Sequence, residues 1–297
     1  MRKIAIVGAN SYIARNMIFV LKKEYQDYEL KLYDYADSHL DGEENYKQIN
    51  VLDVESIKNI DYDCEIIFFF VGKTGTANGF DDYISYIDIN EKALLNFLTE
   101  YRKSKSSAKI VFPSTRLIYK GKNNKLVEDS EKEFNTIYSV NKFACEKYLE
   151  QYNNAFGVQY CIARICVPYG TMIKGASSYG TAEFMIKNAR QGKNITIYGD
   201  GEVRRTLTYM GDLCHILIEM GCTSECVNDV YNIGGEDYSL KEMATLISEK
   251  YKVGIDYIDY PELALKIESG STVFDDTKLK KRISIKYKTK FSEWCLE

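Results

Sequence analysis

The chain has 297 residues, of which 45% are hydrophobic and 28% charged, so it can bury the core of one large domain or of a domain with a smaller partner. Its formal net charge of −4 and the lack of a block of Lys and Arg argue against nucleic acid and anionic membranes as partners. Its apolar runs are too short for membrane insertion and its N-terminus does not read as a signal peptide, so we expect a cytoplasmic protein.

Strand and helix patterns alternate through the first half of the chain. The predicted strands are 3–9, 29–34, 46–51, 64–72, 108–119 and 158–166, and the predicted helices are 11–24, 84–104 and 138–153. This alternation predicts right-handed crossovers and an α/β fold with a doubly wound parallel sheet. In such sheets ligands bind at the carboxyl ends of the strands, so we expect the functional residues there.

The regular alternation of strand and helix patterns ends after residue 168. A Gly/Ser-rich loop is followed by a helix at 181–192, by two strand patterns around a Gly-Asp-Gly turn, and by a strand at 230–235 that returns to the sheet pattern. We therefore predict a larger domain of residues 1–168, joined again by 208–235. Residues 169–207 and 236–297 would form a smaller, discontinuous lobe.

Cysteine and histidine give no sign of a disulfide scaffold or a metal site. The eight cysteines include no Cys-x-x-Cys pair, and most lie in apolar runs, as small core residues in a reducing compartment do. His39 and His215 are far apart in the sequence. We predict no bound metal.

The first strand runs into the turn Gly8-Ala9-Asn10-Ser11-Tyr12-Ile13-Ala14, which opens a helix. Backbone N–H groups at the N-terminus of a helix suit a pyrophosphate, so this segment is a candidate dinucleotide site. The usual fingerprint has glycine where Ser11 and Ala14 stand. An ordinary strand–helix turn is the alternative interpretation.

Acidic residues follow the second and third predicted strands. Asp34 ends the second strand about twenty residues after the turn, where a carboxylate can bind both ribose hydroxyls of a dinucleotide. A carboxylate there repels a 2′-phosphate, which favours NAD over NADP. Asp53 is a candidate contact for adenine, and Val71 and Gly72 end the fourth strand at the same edge.

Tyr138 and Lys142 are four residues apart in a predicted helix and therefore share one face. An ammonium one turn away favours the phenolate, so we expect Lys142 to lower the pKa of Tyr138 and to suit it for proton exchange with a substrate hydroxyl. Ser114 and Thr115 close the fifth strand and could bind the same oxygen. A solvated helix face and a capping Ser-Thr pair are the alternatives.

The segment after the Gly-Asp-Gly turn brings Arg204 and Arg205 beside a second strand. Arginine binds diphosphate through two parallel hydrogen bonds, which makes the pair a candidate diphosphate site. A solvated strand edge is the alternative.

These motifs, in this order, resemble the extended short-chain dehydrogenase/reductases that act on nucleotide sugars, over almost the whole chain. IAIVGANSYIA resembles the family's cofactor turn, PSTRLIY its Ser/Thr motif, YSVNK its Tyr-x-x-x-Lys motif, and ITIYGDGEVRRTLTYMGDL its sugar-nucleotide segment. ARICVPYG is similar to its sixth strand and substrate loop. The resemblance implies a Rossmann-type NAD-binding domain with a smaller substrate-binding lobe, and a homodimer is a family expectation.

Roles for particular residues follow from the same resemblance. Thr115, Tyr138 and Lys142 would be catalytic, and Lys142 would also hold the nicotinamide ribose. Ser114, Tyr169 and Arg205 would contact a nucleoside-diphosphate sugar.

Four positions depart from the family's pattern. Arg116 and Leu117 stand where 4,6-dehydratases carry Asp-Glu, and neither can do that acid/base work. Val167 replaces a frequent Asn, and Thr206 replaces the usual Asp after the arginine. The resemblance therefore implies an NAD-dependent epimerase that acts on C4 of the sugar. A 4-keto reductase and a non-catalytic dinucleotide sensor remain the alternatives.

Overall fold

The computed structural model describes residues 2–176 and 180–295. The strands are β1 (Arg2–Val7), β2 (Tyr28–Asp34), β3 (Tyr46–Gln48), β4 (Ile66–Phe69), β5 (Lys109–Thr115), β6 (Tyr160–Ile165), β7 (Val167–Tyr169), β8 (Ile195–Tyr198), β9 (Arg204–Tyr209), β10 (Asp229–Asn232), β11 (Glu236–Ser239) and β12 (Ile255–Ile258). The helices are α1 (Tyr12–Glu24), α2 (Val54–Ile57), α3 (Tyr83–Ile87), α4 (Ala93–Lys103), α5 (Ile137–Phe156), α6 (Thr181–Arg190), α7 (Met210–Cys222), α8 (Leu240–Tyr251), α9 (Glu262–Ile267), α10 (Thr277–Lys280) and α11 (Phe291–Trp294).

A seven-stranded sheet forms the centre of the larger domain, in the order β10-β6-β5-β4-β1-β2-β3. Every pairing in it is parallel, and Thr115 at the end of β5 lies opposite Ile165 at the end of β6. The strands β4 and β5 are buried along their whole length because their continuous apolar runs are covered on both faces. This confirms the predicted doubly wound parallel sheet and brings the ends of β1, β4, β5 and β6 to one edge.

Helices cover both faces of this sheet. One core packs α1 and α7 against the sheet through residues such as Met17 and Leu217. The other packs α4 and α5 through residues such as Phe97 and Leu149. The predicted helix 84–104 contains a π-helical turn, Asp88–Lys92, between α3 and α4.

The smaller lobe contains a three-stranded sheet, β11-β9-β7, and the pair β12-β8 around its own core. Because β7 pairs with β9, the predicted boundaries after 168 and before 208 each cut through a strand of this lobe. The C-terminal region is also divided, since Leu279 and Ile283 pack into the core of the larger domain. The predicted division of the chain into a larger domain and a smaller lobe stays a prediction.

An extended segment, residues 268–275, joins the two lobes, and we call it the strap. On one side its Thr272 pairs with β9 through backbone hydrogen bonds to Arg204 and Thr206. On the other side it binds the backbone of residues 121–126. Thr206, at the position that departs from the family's usual Asp, also accepts a hydrogen bond from the Phe274 N–H at 2.7 Å.

Within the described ranges, 2–176 and 180–295, no helix is long and apolar enough to cross a bilayer. No group of three or more His, Cys, Asp and Glu side chains is arranged there to hold a metal ion. All eight cysteines are free thiols, and six of them are buried as predicted.

Candidate active site

Thr115 and Tyr138 meet at the carboxyl edge of the large sheet. Thr115 is the last residue of β5, and Tyr138 lies in the first turn of α5, which begins at a capping box formed by Thr136 and Ser139. The Thr115 side chain lies close enough to the Tyr138 hydroxyl to lower the pKa of that phenol, and both residues are buried. Two hydroxyls held in this way can bind one substrate oxygen between them.

Lys142 lies one helical turn after Tyr138 and is also buried. Its ammonium stands over the ring of Phe112 on β5, 4.2 Å from the ring centroid. A Cβ atom added at Gly72 would lie 3.8 Å from the Lys142 Nζ, so the end of β4 and the ammonium border the same space. The structure therefore brings together Thr115, Tyr138, Lys142 and Gly72, as the sequence predicted.

The pKa values differ from the sequence-based expectation. Burial raises the pKa of Tyr138, and the Thr115 side chain offsets only part of that rise. Burial lowers the pKa of Lys142 to about 8. Both shifts have one physical cause, since removing a group from water disfavours its charged form. In this structure the pair therefore favours a neutral phenol, and a further positive charge near Tyr138 would be needed to favour the phenolate.

Lys142→Met should stabilise the protein near neutral pH, because it removes a charge that the fold buries. The folded-state pKa of about 8 lies below the ordinary 10.5, so between these values the unfolded chain binds more protons and wild-type stability rises with pH. We expect Lys142→Met to be the more stable at about pH 7, and its advantage to shrink by roughly 2 kcal/mol by about pH 9.5. Denaturant unfolding of both proteins at each pH gives the difference between their free energies of unfolding. Groups that titrate in the same way in both proteins do not contribute to this difference. An advantage that is constant or grows with pH would contradict it.

A buried polar network lies directly behind the catalytic edge. Ser114 donates a hydrogen bond to Glu146, which follows Lys142 by one turn on α5. Arg164 on β6 binds the same carboxylate through two hydrogen bonds, at 3.0 and 2.7 Å, and both side chains are about 95% buried or more. Burial alone would lower the pKa of Arg164, but its bonds and charge interaction with Glu146 raise it. The hydroxyl proton of Ser114 is therefore engaged with Glu146, and its predicted contact with a substrate stays a prediction.

The turn after β1 has the close backbone approach on which the predicted dinucleotide site depends. Gly8 has φ +89°, and a Cβ there would lie 2.7 Å from the Phe70 carbonyl carbon and 2.8 Å from the Val71 amide nitrogen. Only glycine avoids that overlap, so the backbone passes close to the end of β4. Ser11 caps α1 by accepting a hydrogen bond from the Ala14 N–H at 3.3 Å. The helix N-terminus thus stands open beside a glycine turn, as pyrophosphate binding requires.

Asp34 lies at the end of β2 beside this turn. Its carboxylate accepts hydrogen bonds from the backbone N–H groups of Asn10 at 2.8 Å and Tyr35 at 2.7 Å. The Asn10 side chain in turn binds the backbone of Ser38 and Leu40. Asn10 and Asp34 are therefore adjacent, and the hydrogen bond between them helps to order the turn. The predicted contact of Asp34 with a ribose stays a prediction.

Other predicted cofactor residues have structural partners. Tyr12 donates its hydroxyl proton to the Gly170 carbonyl, which ties the turn to the smaller lobe, and Ile13 packs partly buried against the core. Val71 is partly buried beside Gly72 at the end of β4. The strand β3 stops at Gln48, so Asp53 does not end it. Asp53 instead caps α2 by accepting a hydrogen bond from the Glu55 N–H.

The two substrate residues predicted beyond β6 are engaged within the protein. Tyr169 is fully buried among the rings of Tyr209, Phe291 and Trp294, and its hydroxyl donates to the Thr289 carbonyl at 3.1 Å. Tyr169 thus belongs to the core of the smaller lobe. Arg205 is buried too, and it binds the Glu268 carboxylate and the Gly270 carbonyl of the strap, each at 2.6 Å.

Sequence analysis missed three residues that shape the site. Glu146 follows Tyr138 by eight positions and Lys142 by four, a helical spacing that places all three on one face. Arg164 lies within an otherwise apolar strand pattern, which gives no signal of a functional residue. Asn90 lies in the π-helical turn and binds both the N–H and the carbonyl of Lys73, just after Gly72. A turn of this kind is frequent at functional sites.

A sequence model of the NAD dependent epimerase/dehydratase family matches residues 4–234. The chain belongs to this family. The match includes the glycine turn, Asp34, the Thr115–Tyr138–Lys142 group and β10, and so covers the whole catalytic edge described above.

Two curated relatives are similar to this family member over much of its length. A UDP-glucuronate 4-epimerase of Thermodesulfobacterium geofontis is 25% identical over 268 residues, covering 86% of this chain and 79% of the relative. A UDP-N-acetyl-alpha-D-glucosaminuronate decarboxylase of Bacillus cytotoxicus is 28% identical over 203 residues, covering 66% and 62%.

The fold is also that of solved members of the family. The crystal structure of UDP-glucuronic acid 4-epimerase from Bacillus cereus, in complex with UDP-glucuronic acid and NAD, matches 99% of this chain and 96% of its own with a TM-score of 0.86 and 19% identity. At this identity the likeness shows the shared Rossmann-type fold.

Proposed function

We propose that this family member is an NAD-dependent epimerase that oxidises and re-reduces one carbon, C4, of a nucleoside-diphosphate sugar. The observation that carries the proposal is the juxtaposition of the buried Thr115 and Tyr138 side chains at the carboxyl edge of the sheet, with Lys142 one helical turn away. These three side chains can orient a sugar hydroxyl and take its proton. They are not suited to making or breaking a carbon–carbon bond.

The residues at the edge of the sheet suit NAD. The pyrophosphate would lie over Gly8 and the N-terminus of α1, and the adenosine ribose would lie at Asp34, whose carboxylate disfavours the 2′-phosphate of NADP. Lys142, beside Gly72, would hold the nicotinamide ribose. When bound, NAD supplies the hydride acceptor and donor of the reaction.

Proton transfer would be the task of this chain's own residues. Tyr138 would receive the proton of the C4 hydroxyl during oxidation and return it during reduction, while Thr115 keeps the sugar oxygen in place. Burial raises the pKa of Tyr138, so the proposal requires positive charge near the phenol in the working complex. Lys142 would donate a hydrogen bond to the ribose. Its ammonium would still supply part of this positive charge at neutral pH, because its pKa is about 8.

A 4,6-dehydratase fits the site poorly. The reaction needs an acid and a base beside the catalytic threonine, and those positions hold Arg116 and Leu117. The predicted diphosphate role of Arg205 stays a prediction, and it would require the Glu268 carboxylate to leave the guanidinium. The predicted homodimer likewise stays a prediction.

A substrate panel tests the proposed function. We would incubate the protein with UDP-, dTDP-, CDP- and GDP-sugars without added cofactor, with NADH and with NADPH, and resolve the products by NMR. Interconversion of two isomers without added cofactor and without absorbance change at 340 nm is the expected result. Net oxidation of NADH with 4-keto sugars would replace the epimerase by a reductase. Retention of NAD with no turnover of any sugar would favour a dinucleotide sensor.

A further inference from the structure

The C-terminal segment 277–290 is strongly basic, and the proposed reaction gives it no task. It holds seven of the chain's 39 Lys and Arg residues and none of its 43 Asp and Glu residues, so the rest of the chain carries a net charge of −11. Apolar residues interrupt the run, and for this reason it did not read as a basic block in the sequence. The whole-chain charge of −4, which argued against anionic partners, therefore conceals a polarised molecule.

The fold turns the basic side chains of this segment outwards. Ile283 is buried in the core that contains α1 and α7, and Ile285 and Tyr287 pack partly buried against the same core. Lys286 and Lys288, which alternate with these apolar residues, are exposed. Successive side chains thus point to opposite sides, as in an extended chain, and the lysines form a row on the protein surface.

The row lies along α7. In the first turn of this helix, Asp212 accepts a hydrogen bond from the Lys288 N–H at 2.9 Å. Just beyond the last turn, a hydrogen bond with Ser224 lowers the pKa of Glu225, and the nearby charge of Arg282 also lowers it. Arg282 and Lys288 therefore stand near opposite ends of α7, and the backbone between them is held against the fold.

The end of α1 extends this positive surface. Glu24 of α1 is bound to His215 of α7 at 2.9 Å. This bond lowers the pKa of Glu24, and the charges of Lys23 and Lys288 also lower it, so the two lysines lie on the same side of the molecule. The Lys23 ammonium stands 5.9 Å from the centre of the Phe19 ring, and Phe19 is 38% exposed. An apolar ring thus borders the cations.

Four exposed cations on this side define what we call the basic face: Lys23, Arg282, Lys286 and Lys288. Within residues 2–176 and 180–295 none of the four belongs to an ion pair, whereas the segment's Lys278, Lys280 and Lys290 each have a carboxylate partner. Like charges that are held close together repel each other, and an anionic partner relieves that repulsion.

A lipid surface fits this distribution of charge better than the other anionic partners do. Domains that bind nucleic acid are usually basic as a whole, with a pI above about 9, whereas this chain has a pI of about 5.5. A second copy would have to bring its acidic side to the basic face, and such a heterologous contact builds open filaments unless it closes into a ring. A bilayer offers a broad field of negative charge and an apolar layer beneath it for the exposed Phe19 ring.

We propose that the basic face binds the surface of an anionic phospholipid bilayer and holds the protein there as a peripheral membrane protein. Each Lys or Arg near such a surface contributes about a fivefold increase in binding. The attraction falls off within a Debye length, about 10 Å in 0.1 M salt, so it should be strongly dependent on salt. None of these residues belongs to the proposed catalytic group, so the proposal does not depend on the reaction.

Flotation of the full chain with vesicles tests the proposal. We would compare vesicles of phosphatidylcholine alone with vesicles that also contain about 30% phosphatidylglycerol, at about 50 mM and about 500 mM NaCl. One variant carries glutamine at all four positions of the basic face. The control variant loses the same charge from four exposed lysines elsewhere, namely Lys58, Lys125, Lys187 and Lys193.

The wild type should float with the anionic vesicles at the lower salt, and neither with phosphatidylcholine alone nor at the higher salt. Glutamine at the basic face should weaken binding at least about fiftyfold, because four contributions of about fivefold multiply, whereas the control should change it by less than about fivefold. Phe19→Ser should weaken binding about threefold or more, because the ring would leave water at the interface. The replaced side chains are exposed, so the thermal unfolding midpoints of the variants should stay close to that of the wild type.

Four results would overturn the proposal. One is a wild type that does not bind the anionic vesicles at either salt. Another is an equal loss in the control variant, which would assign the effect to net charge instead of this face. Binding of duplex DNA as tight as that of the vesicles, at equal phosphate concentration and salt, would make the face a nucleic-acid site. Oligomers in light scattering that disappear in the basic-face variant would make it a contact between copies of this chain.

Discussion

Tyr138→Phe should reduce turnover at least about a hundredfold, the scale of general acid/base catalysis, and leave the fold intact. The substitution removes only the phenolic oxygen, which the Thr115 side chain adjoins, and leaves the ring in its buried place. Without that oxygen the site loses the group proposed to receive the proton of the sugar hydroxyl. Steady-state turnover of the substrate found in the panel, together with a thermal unfolding midpoint, separates lost chemistry from lost structure.

Tyr148→Phe is the matched control, because it removes a hydroxyl from the same helix. The Tyr148 hydroxyl donates to Glu91 at 2.8 Å and does not contact Thr115. We expect near-native turnover and a stability loss of about 1 kcal/mol, the usual value of one hydrogen bond. Equal turnover in the two Phe variants would remove Tyr138 from the proposed mechanism.

Glu146→Gln should lower the free energy of unfolding by about 3 kcal/mol, because it leaves the Arg164 charge buried without a counter-ion. Glutamine keeps the shape of the side chain and can still accept from Ser114, so the charge is the main change. Since Glu146 fixes α5 to β5 and β6, turnover should fall as well, through displacement of Tyr138 and Lys142. Denaturant unfolding at neutral pH measures the first effect.

Glu150→Gln, one turn further along α5, provides the comparison. The Glu150–Lys147 pair is exposed, so its loss should cost less than about 0.5 kcal/mol. Similar small losses in both variants would show that the Glu146–Arg164 pair does not hold the catalytic helix in place.

The sequence predicted those parts of the molecule that depend on local pattern. Continuous apolar runs gave the buried strands β4 and β5, and the four-residue spacing of Tyr138 and Lys142 placed them on one helical face. Gly8 was predicted because a tight turn between strand and helix needs a positive φ. Such features are determined by neighbours in the sequence.

The sequence failed where contacts link distant segments. The partner of Arg205 is Glu268, 63 positions away, and no local pattern marks that pair. Ser114 was predicted to contact the substrate. In the structure its hydroxyl points to Glu146, and this orientation depends on how α5 packs on β5, which no local pattern in the sequence indicates. Tyr169, which the resemblance assigned to the substrate, is enclosed by the C-terminal Phe291 and Trp294, more than 120 positions away in the chain. The pKa of Tyr138 was predicted to be lowered but is raised, because burial dominates and helical spacing carries no information on burial.

Transfer of a label at C4 tests the central claim most directly. The nucleotide sugar that the protein interconverts would be prepared with deuterium at C4 and followed by NMR in ordinary water, with unlabelled NADH in excess. The account predicts that both isomers keep the deuterium, because the hydride returns from the bound cofactor to the carbon it left. Loss of the deuterium to water or to the free cofactor pool while the isomers interconvert would contradict it.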